Sequence, residues 1–364
     1  MSIILHGSFN SNNFGDTLLL KIFADYIKNK YPYHEIFATN TSKNTSEFCK
    51  VNTISVLDAL RCHQPIVFCG GGYFGEPPHL IQRWSLNLWR KHLFFGLGAK
   101  NQQIPYAILG VGLGPLTKWW TRYPIVSLIR DAKICALRDK ESVNYLHSYD
   151  ETINCQQVAD PILSYCSSDL IKISNMLNPD VIKQQTNKTS TQKIILHIPG
   201  RYENAEMRRF IAEWIVLLTK SRNDVELVVL ADISLKNRPD FFSWLSNIDD
   251  QRIRIVEYLN PSQLLAEIID SYGVITTKLH VGICGAILGK RVISFPFHAK
   301  THRFYEQIKR TDICQPLNIL NQVKAKELIL NLINGKLEPI ILDESIRQDS
   351  LKIWSLLDYF LESL

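Results

Sequence analysis

The sequence has no apolar run near the ~20 residues that a membrane-spanning helix needs. Runs such as Lys193–Pro199 and Val225–Ala231 are strand-sized, so no span is expected. The opening residues, Met-Ser-Ile-Ile-Leu-His-Gly, lack the basic start and long apolar stretch of a signal peptide and read as the first buried strand of a domain. Eight cysteines are present (Cys49, Cys62, Cys69, Cys135, Cys155, Cys166, Cys284 and Cys314), with no C-x-x-C pair among them. Several sit in apolar patterns, where a thiol acts as a small hydrophobe. A structural metal site or disulfide framework is therefore not expected, which fits a reducing cytoplasm. G-x-G-x-x-G is missing, and with it the dinucleotide fingerprint. No histidines and acids stand at zinc-binding spacing, so no metal is assigned. No dense Lys/Arg run interleaved with aromatics points to nucleic acid.

What is present suits two packed cores. The chain has 364 residues, 46% of them hydrophobic and 21% charged, a length that leads one to expect two domains. The net charge of +6 suits an anionic small substrate or an anionic membrane surface.

Strand and helix patterns alternate, as in α/β folds with parallel sheets. The first half predicts strands at Ser2–His6, Ile66–Cys69, Tyr106–Val111 and Ile134–Leu137, and helices at Thr17–Asn29, Arg122–Asp131 and Lys140–Ser148. The polar stretch Ser168–Gln192 reads as an inter-domain connection. The pattern then restarts, with strands at Lys193–Ile198, Val225–Ala231, Ile253–Glu257, Gly273–Thr277 and Val292–Phe295. Helices are predicted near Ala205–Lys220, Pro239–Ser246, Pro261–Ser271 and Leu279–Leu288, with Asn260 as N-cap and Pro261 in the first turn. Glu344–Leu364 is an amphipathic helix, its apolar stripe read as core-facing, with a membrane-facing role as the lesser alternative. This predicts two Rossmann-like domains facing a cleft, a GT-B-like architecture. Residues 1–170 form the first domain, 190–340 the second, and 341–364 a helix packing back on the body.

Ligands in such folds gather at the carboxyl ends of strands. The first such loop, His6-Gly-Ser-Phe-Asn-Ser-Asn-Asn-Phe-Gly-Asp16, holds Asn13, Gly15 and Asp16. Asp16 is placed to cap the following helix or to accept a proton from a sugar hydroxyl, and free backbone N–H groups could bind an anion. Gly70-Gly-Gly-Tyr-Phe-Gly75 and Gly110-Val-Gly-Leu-Gly-Pro115 end two further strands, with Gly71, Gly72 and Gly112 letting backbone approach a ligand. Arg138 ends another strand; its fork suits phosphate or carboxylate, and an ion pair with Asp139 or Glu141 is the plainer alternative.

Late in the chain, Lys278 and His280 fall where a strand runs into a helix, a position that favours anions. Phe295-Pro-Phe-His-Ala-Lys-Thr-His-Arg-Phe304 adds His298, Lys300, His302 and Arg303 after the next strand. Arg138, Lys278, His280 and Lys300 together would make a pocket for a compact dianion or trianion.

These motifs resemble the polysaccharide pyruvyl transferase family. Asn13-Phe-Gly-Asp16, Gly70–Gly72, Gly112-Leu-Gly-Pro115, Arg138-Asp-Lys-Glu-Ser142, Asp160-Pro161, Lys278-Leu-His280 and Lys300 follow its motifs in order, from about residue 3 to 305. Lys278 stands where the family has Arg, which keeps the charge and loses the bidentate fork. The resemblance implies phosphoenolpyruvate as donor and co-substrate, no cofactor, and a sugar diol as acceptor, on a polysaccharide or a lipid-linked oligosaccharide. It implies a cyclic pyruvate ketal as product, formed in the cytoplasm or at the inner face of the membrane with peripheral association. In that reading His280 is the acid, Asp16 a base or acceptor-binding residue, and Arg138, Lys278 and Lys300 hold the donor. Two alternatives stay open: a GT-B glycosyltransferase using a nucleotide sugar, and a non-catalytic saccharide-binding relative.

Overall fold

The computed structural model describes residues 2–176, 192–198, 205–221, 224–231, 245, 247–248, 250–296, 298–316 and 321–364. Contacts divide the chain into two compact units, residues 1–164 with 344–364, and residues 165–343. Each is a Rossmann-like α/β layer structure.

Among the described residues, the first unit has seven parallel strands: β1 (Ser2–His6), β2 (Glu35–Thr39), β3 (Asn52–Ile54), β4 (Ile66–Cys69), β5 (Tyr106–Val111), β6 (Ile134–Leu137) and β7 (Gln156–Gln157). Their order in the sheet is β3-β2-β1-β4-β5-β6-β7. Strands β4, β5 and β6 are buried along their whole length, as expected when helices cover both faces of a parallel sheet. The order reverses between β1 and β4, so the loops after these two strands flank the topological switch point.

The second unit repeats the plan with β8 (Gln192–Ile198), β9 (Val225–Ala231), β10 (Ile253–Val256), β11 (Gly273–Thr276) and β12 (Arg291–Ser294), all parallel, in the order β10-β9-β8-β11-β12. Its switch point lies between β8 and β11. Two fully parallel, singly reversed sheets bear out the expected α/β class.

The C-terminal helix Glu344–Glu362 packs back on the first unit. Trp354 stacks on Tyr26 at 4.5 Å and meets Phe23 edge-on, and Asp358 accepts from Tyr26 and Tyr31. Gly110 adopts φ +70° beneath this helix, where a Cβ would stand 2.6 Å from Pro161 and 3.2 Å from Ile353.

Several boundaries differ from the sequence reading. The first helix starts at Phe14 rather than Thr17, because Asn13 caps it by accepting from the Gly15 and Asp16 amides. Asp16 is therefore a first-turn residue, not the cap. The start of the stretch expected as a connection, from Ser168, lies in a helix, Ser167–Ser174. Asp169 accepts from the Cys166 amide, Leu170 and Ile173 are buried, and Ser262 Oγ donates to the Ile173 carbonyl. The expected helix Pro239–Ser246 falls almost wholly outside the described residues. The helix Pro261–Ile269 begins as expected, with Asn260 Oδ1 accepting from the Gln263 amide.

Candidate functional site

In the first unit, the loops after β1 and β4 meet at the switch point. Asn13 spends its side chain on the Gly15 and Asp16 amides, so those two N–H groups are not free anion donors. Asp16 is half-buried in the first turn, where a carboxylate is favoured by the helix dipole. Its Oδ1 lies 3.6 Å from where a Cβ on Gly71 would stand. Gly71 has φ +81°, a conformation that only glycine adopts without strain.

Beside Asp16 lies Tyr73, buried, with no hydrogen-bond partner for its hydroxyl among the described residues. Its pKa is pushed up by burial first, then by Cys69 and Asp16. Its ring stacks on His92 at 4.4 Å and 12°. His92 opens a relay that sequence reasoning missed. His92 Nδ1 is 2.9 Å from His6 Nε2, His6 Nδ1 is 2.6 Å from Thr39 Oγ1, and His92 Nε2 is 3.3 Å from Ser8 Oγ. Burial lowers the pKa of both rings, that of His92 to about 3, so both are neutral near pH 7. Two neutral rings sharing one hydrogen bond leave two proton arrangements. In one the chain donates toward Ser8; in the other it accepts from Ser8. The half-buried Ser8 hydroxyl is thus held at a fixed position while able to act as donor or acceptor. The only sign of this in the sequence was a polar His6 ending an apolar strand.

The remaining motifs of this unit pack against one another. The two glycine-rich loops run side by side: the Gly112 amide donates to the Gly71 carbonyl at 2.8 Å, and Phe74 bridges Leu113. Gly75 and Gly114 pass so closely that a Cβ on Gly114 would be 2.9 Å from the Gly75 Cα. Gly72 is half-buried in the same loop. Arg138 is buried, and its Nη1 pairs with Asp160 at 3.2 Å, with Asp139 more distant at 3.9 Å. The expected partner Asp139 is thus present at longer range, and Asp160, which the sequence reading did not name as a partner of Arg138, is the nearer acid. The Arg138 fork lies against Gly112, where a Cβ would be 2.6 Å from Nη2. Ser142 Oγ accepts from the Leu113 amide, and Asp139 caps the following helix. Asp160 in turn receives the Ile162 amide on Oδ1 and the Ser350 hydroxyl on its carbonyl.

In the second unit, β11 and β12 pair in register, Thr276 against Ser294. Their carboxyl ends therefore deliver two helix N-termini side by side. Lys278 is the N-cap residue of helix Leu279–Ile287, and His298 that of helix Ala299–Gln307. The helices are drawn together at Gly282, where a Cβ would stand 2.5 Å from Tyr305 Oη. The packing gathers charge. The pKa of His298 is lowered to about 4, by burial first and then by Lys300 and Lys278. His280 sits in the first turn, 8% exposed, while His302 turns along its own helix to Glu306 at 3.2 Å. Lys278 and Lys300 thus make an electropositive cluster around a neutral His298 at two helix N-termini, an arrangement that anions stabilise. Among the described residues no group of three or more His, Cys, Asp or Glu is arranged to hold a metal.

The sequence model of the polysaccharide pyruvyl transferase family matches residues 13–298. No curated protein matches the chain in sequence. Among solved structures, the chain is similar to UDP-GlcNAc 2-epimerase from Methanocaldococcus jannaschii (TM-score 0.67, 15% identity, 98% of this chain and 99% of that one). It is also similar to UDP-GlcNAc 2-epimerase from Neisseria meningitidis bound to UDP-GlcNAc (TM-score 0.63, 12% identity, 100% of both chains). A third is HepE of Anabaena in complex with UDP and glucose (TM-score 0.54, 12% identity, 100% of both). At such identities these likenesses establish the fold, GT-B-like, and nothing about the ligand.

Proposed function

The chain belongs to the polysaccharide pyruvyl transferase family, and we propose that it transfers the pyruvyl group of phosphoenolpyruvate to two hydroxyls of a sugar on a polysaccharide or lipid-linked oligosaccharide precursor. Phosphate leaves and a cyclic ketal forms. The observation that carries the donor assignment is the concentration of positive charge from Lys278 and Lys300 around the buried His298, at two adjacent helix N-termini. A compact anion carrying phosphate and carboxylate balances that charge, and the two helix N-termini add to the attraction.

The chemistry places demands on particular groups. Protonation at C3 of the enol turns the CH2 into CH3 and leaves C2 electron-poor. One sugar hydroxyl attacks C2, the C2–O bond to phosphate breaks, and the second hydroxyl closes the ring. Of the two hydroxyl protons released, one balances the new CH3 and the other leaves on phosphate. His280, in the first helical turn beside Lys278, is the proposed acid. Lys278 and Lys300 hold the donor's charges. In the first unit, Asp16 and Ser8 are the polar groups that would meet the acceptor's hydroxyls, Asp16 as a base. Arg138, with its charge committed to Asp160, acts by holding the Gly112 loop. The reaction takes place where phosphoenolpyruvate is made, in the cytoplasm.

The test is phosphate release from phosphoenolpyruvate against UDP release from UDP-sugars, with saccharide acceptors. The reading expects the first and is overturned by the second. Lys300→Ala should raise the donor KM, because an ammonium attracts ground and transition states alike. His280→Ala should lose about 10²–10⁴ in kcat with donor binding retained. Wild-type turnover of His280→Ala at saturating donor would remove it as the acid and turn attention to His298.

A further inference from the structure

Between Pro77 and Arg130 the chain has no aspartate or glutamate and seven Lys or Arg, against a net charge of +6 for all 364 residues. The rest of the chain is therefore close to neutral. The same stretch holds four of the seven tryptophans: Trp84, Trp89, Trp119 and Trp120. We propose that the face of the first unit built from helix Ile81–Leu88, the turn through Trp89, helix Phe94–Asn101 and the start of helix Trp119–Arg130 docks onto an anionic lipid surface.

Burial of aromatics is the ordinary rule, and this face breaks it. Trp119 is 64% exposed, Tyr123 63%, Leu86 73% and Phe94 53%. The segments that carry them pack against one another. Trp89 Nε1 donates to the Trp120 carbonyl at 3.1 Å, joining the two helical segments. Trp89 and Phe94 line, with Leu57, a shallow apolar groove of about 470 Å³. Of the cations, Lys100 and Arg130 are paired with Asp131 and Asp150. Arg83, Arg90, Lys118 and Arg122 have no carboxylate at ion-pair distance among the described residues, and Arg122 and Lys118 lie over the Tyr123 and Trp120 rings instead.

The chemistry selects the occupant. Trp and Tyr rings with a polar edge settle at headgroup depth, Leu86 and Phe94 would enter the acyl boundary, and arginines meet lipid phosphates. A nucleic acid would use the cations and leave Leu86 and Phe94 in water. A second copy of this chain would set these cations against themselves, because a two-fold contact brings the same patch to both sides. The surface uses none of the donor-cluster residues, so the proposal does not depend on the donor assignment. It deepens the functional reading only in its consequence, which is that a lipid-linked acceptor would be met where it is anchored.

The test is co-sedimentation of the purified full chain with phosphatidylcholine vesicles and with vesicles that also contain phosphatidylglycerol. Binding to the anionic vesicles should be at least about tenfold tighter and should weaken as salt rises. Two independent surface variants check the two halves of the surface. Arg83→Glu with Arg90→Glu should weaken binding by about tenfold or more. Leu86→Ala with Trp119→Ala should weaken it and reduce the blue shift of tryptophan emission on vesicle addition. Both should keep the wild-type circular dichroism and the wild-type phosphate release on a water-soluble acceptor, which separates loss of docking from failure of the functional reading. The proposal is overturned by vesicle binding unchanged in both variants or absent in the wild type. Tighter binding to nucleic acid than to anionic vesicles would also sink it, as would a dimer that the same substitutions dissolve.

Discussion

At the scale of single residues, two chemistries were unequally legible. Lys278, His280 and Lys300 could be found in the sequence because each follows a predicted strand end, and strand ends are where α/β folds bind ligands. The His6–His92 relay could not, because its members lie 86 positions apart and no local pattern joins them. The relay has a measurable signature in pH. Both rings have pKa values held below the ordinary histidine value, His92 at about 3. The folded chain therefore binds fewer protons than the unfolded chain between pH 3 and the unfolded value of about 6.5, and stability falls as pH drops through that window. The charged groups near the pair are few: Lys91 lowers the His92 pKa further, and Asp16 acts on the adjacent Tyr73. Chemical denaturation between pH 7 and 5 should show the loss, above the range where carboxylates dominate. His92→Gln should flatten the slope there. An unchanged slope would mean that the pair is not neutral in the folded state.

At the scale of elements, the apolar runs that became β1, β4, β5 and β6 were readable because turn residues bound them on both sides. Strands β3 and β7 were not, since most of their residues are exposed edge positions with no apolar signature. The glycine-rich loops were located correctly, but why glycine is needed there depends on neighbours distant in sequence: Gly114 lies against Gly75, Gly110 against Pro161, and Gly282 against Tyr305. The last of these gives a prediction about the donor cluster. A methyl at Gly282 would stand 2.5 Å from Tyr305 Oη, and overpacking of this kind costs about 1–3 kcal/mol. Because the two helices carry Lys278 and His280 on one side and Lys300 on the other, their separation should weaken the donor site. Gly282→Ala should lower thermal stability and raise the donor KM. Adding Tyr305→Phe removes the clashing oxygen and should recover much of both. Recovery of stability without recovery of KM would show that helix spacing does not set donor affinity.

At the scale of the whole molecule, two α/β units could be read from the restart of the strand–helix pattern after the polar stretch, and the repeat of one sheet order in both units is the physical form of that restart. Which unit owns the last helix could not be read, because an amphipathic stripe says that a face is buried and not against what. In the structure, helix Glu344–Glu362 buries Ile353, Leu357 and Phe360, stacks Trp354 on Tyr26, and donates from Ser350 to the carbonyl of Asp160. Asp160 is the partner of the buried Arg138, and a buried cation that loses its partner costs about 3–5 kcal/mol. Removal of residues 344–364 therefore exposes an apolar face of the first unit and loosens the turn that neutralises Arg138, while leaving the second unit's own sheet intact. Hydrogen exchange on a chain ending at Asp343 should show protection lost across β1, β4, β5 and β6 and retained across β8, β9, β11 and β12. Equal loss in both units would mean that they fold as one cooperative body. Retained protection in the first would mean that its core is complete without the helix.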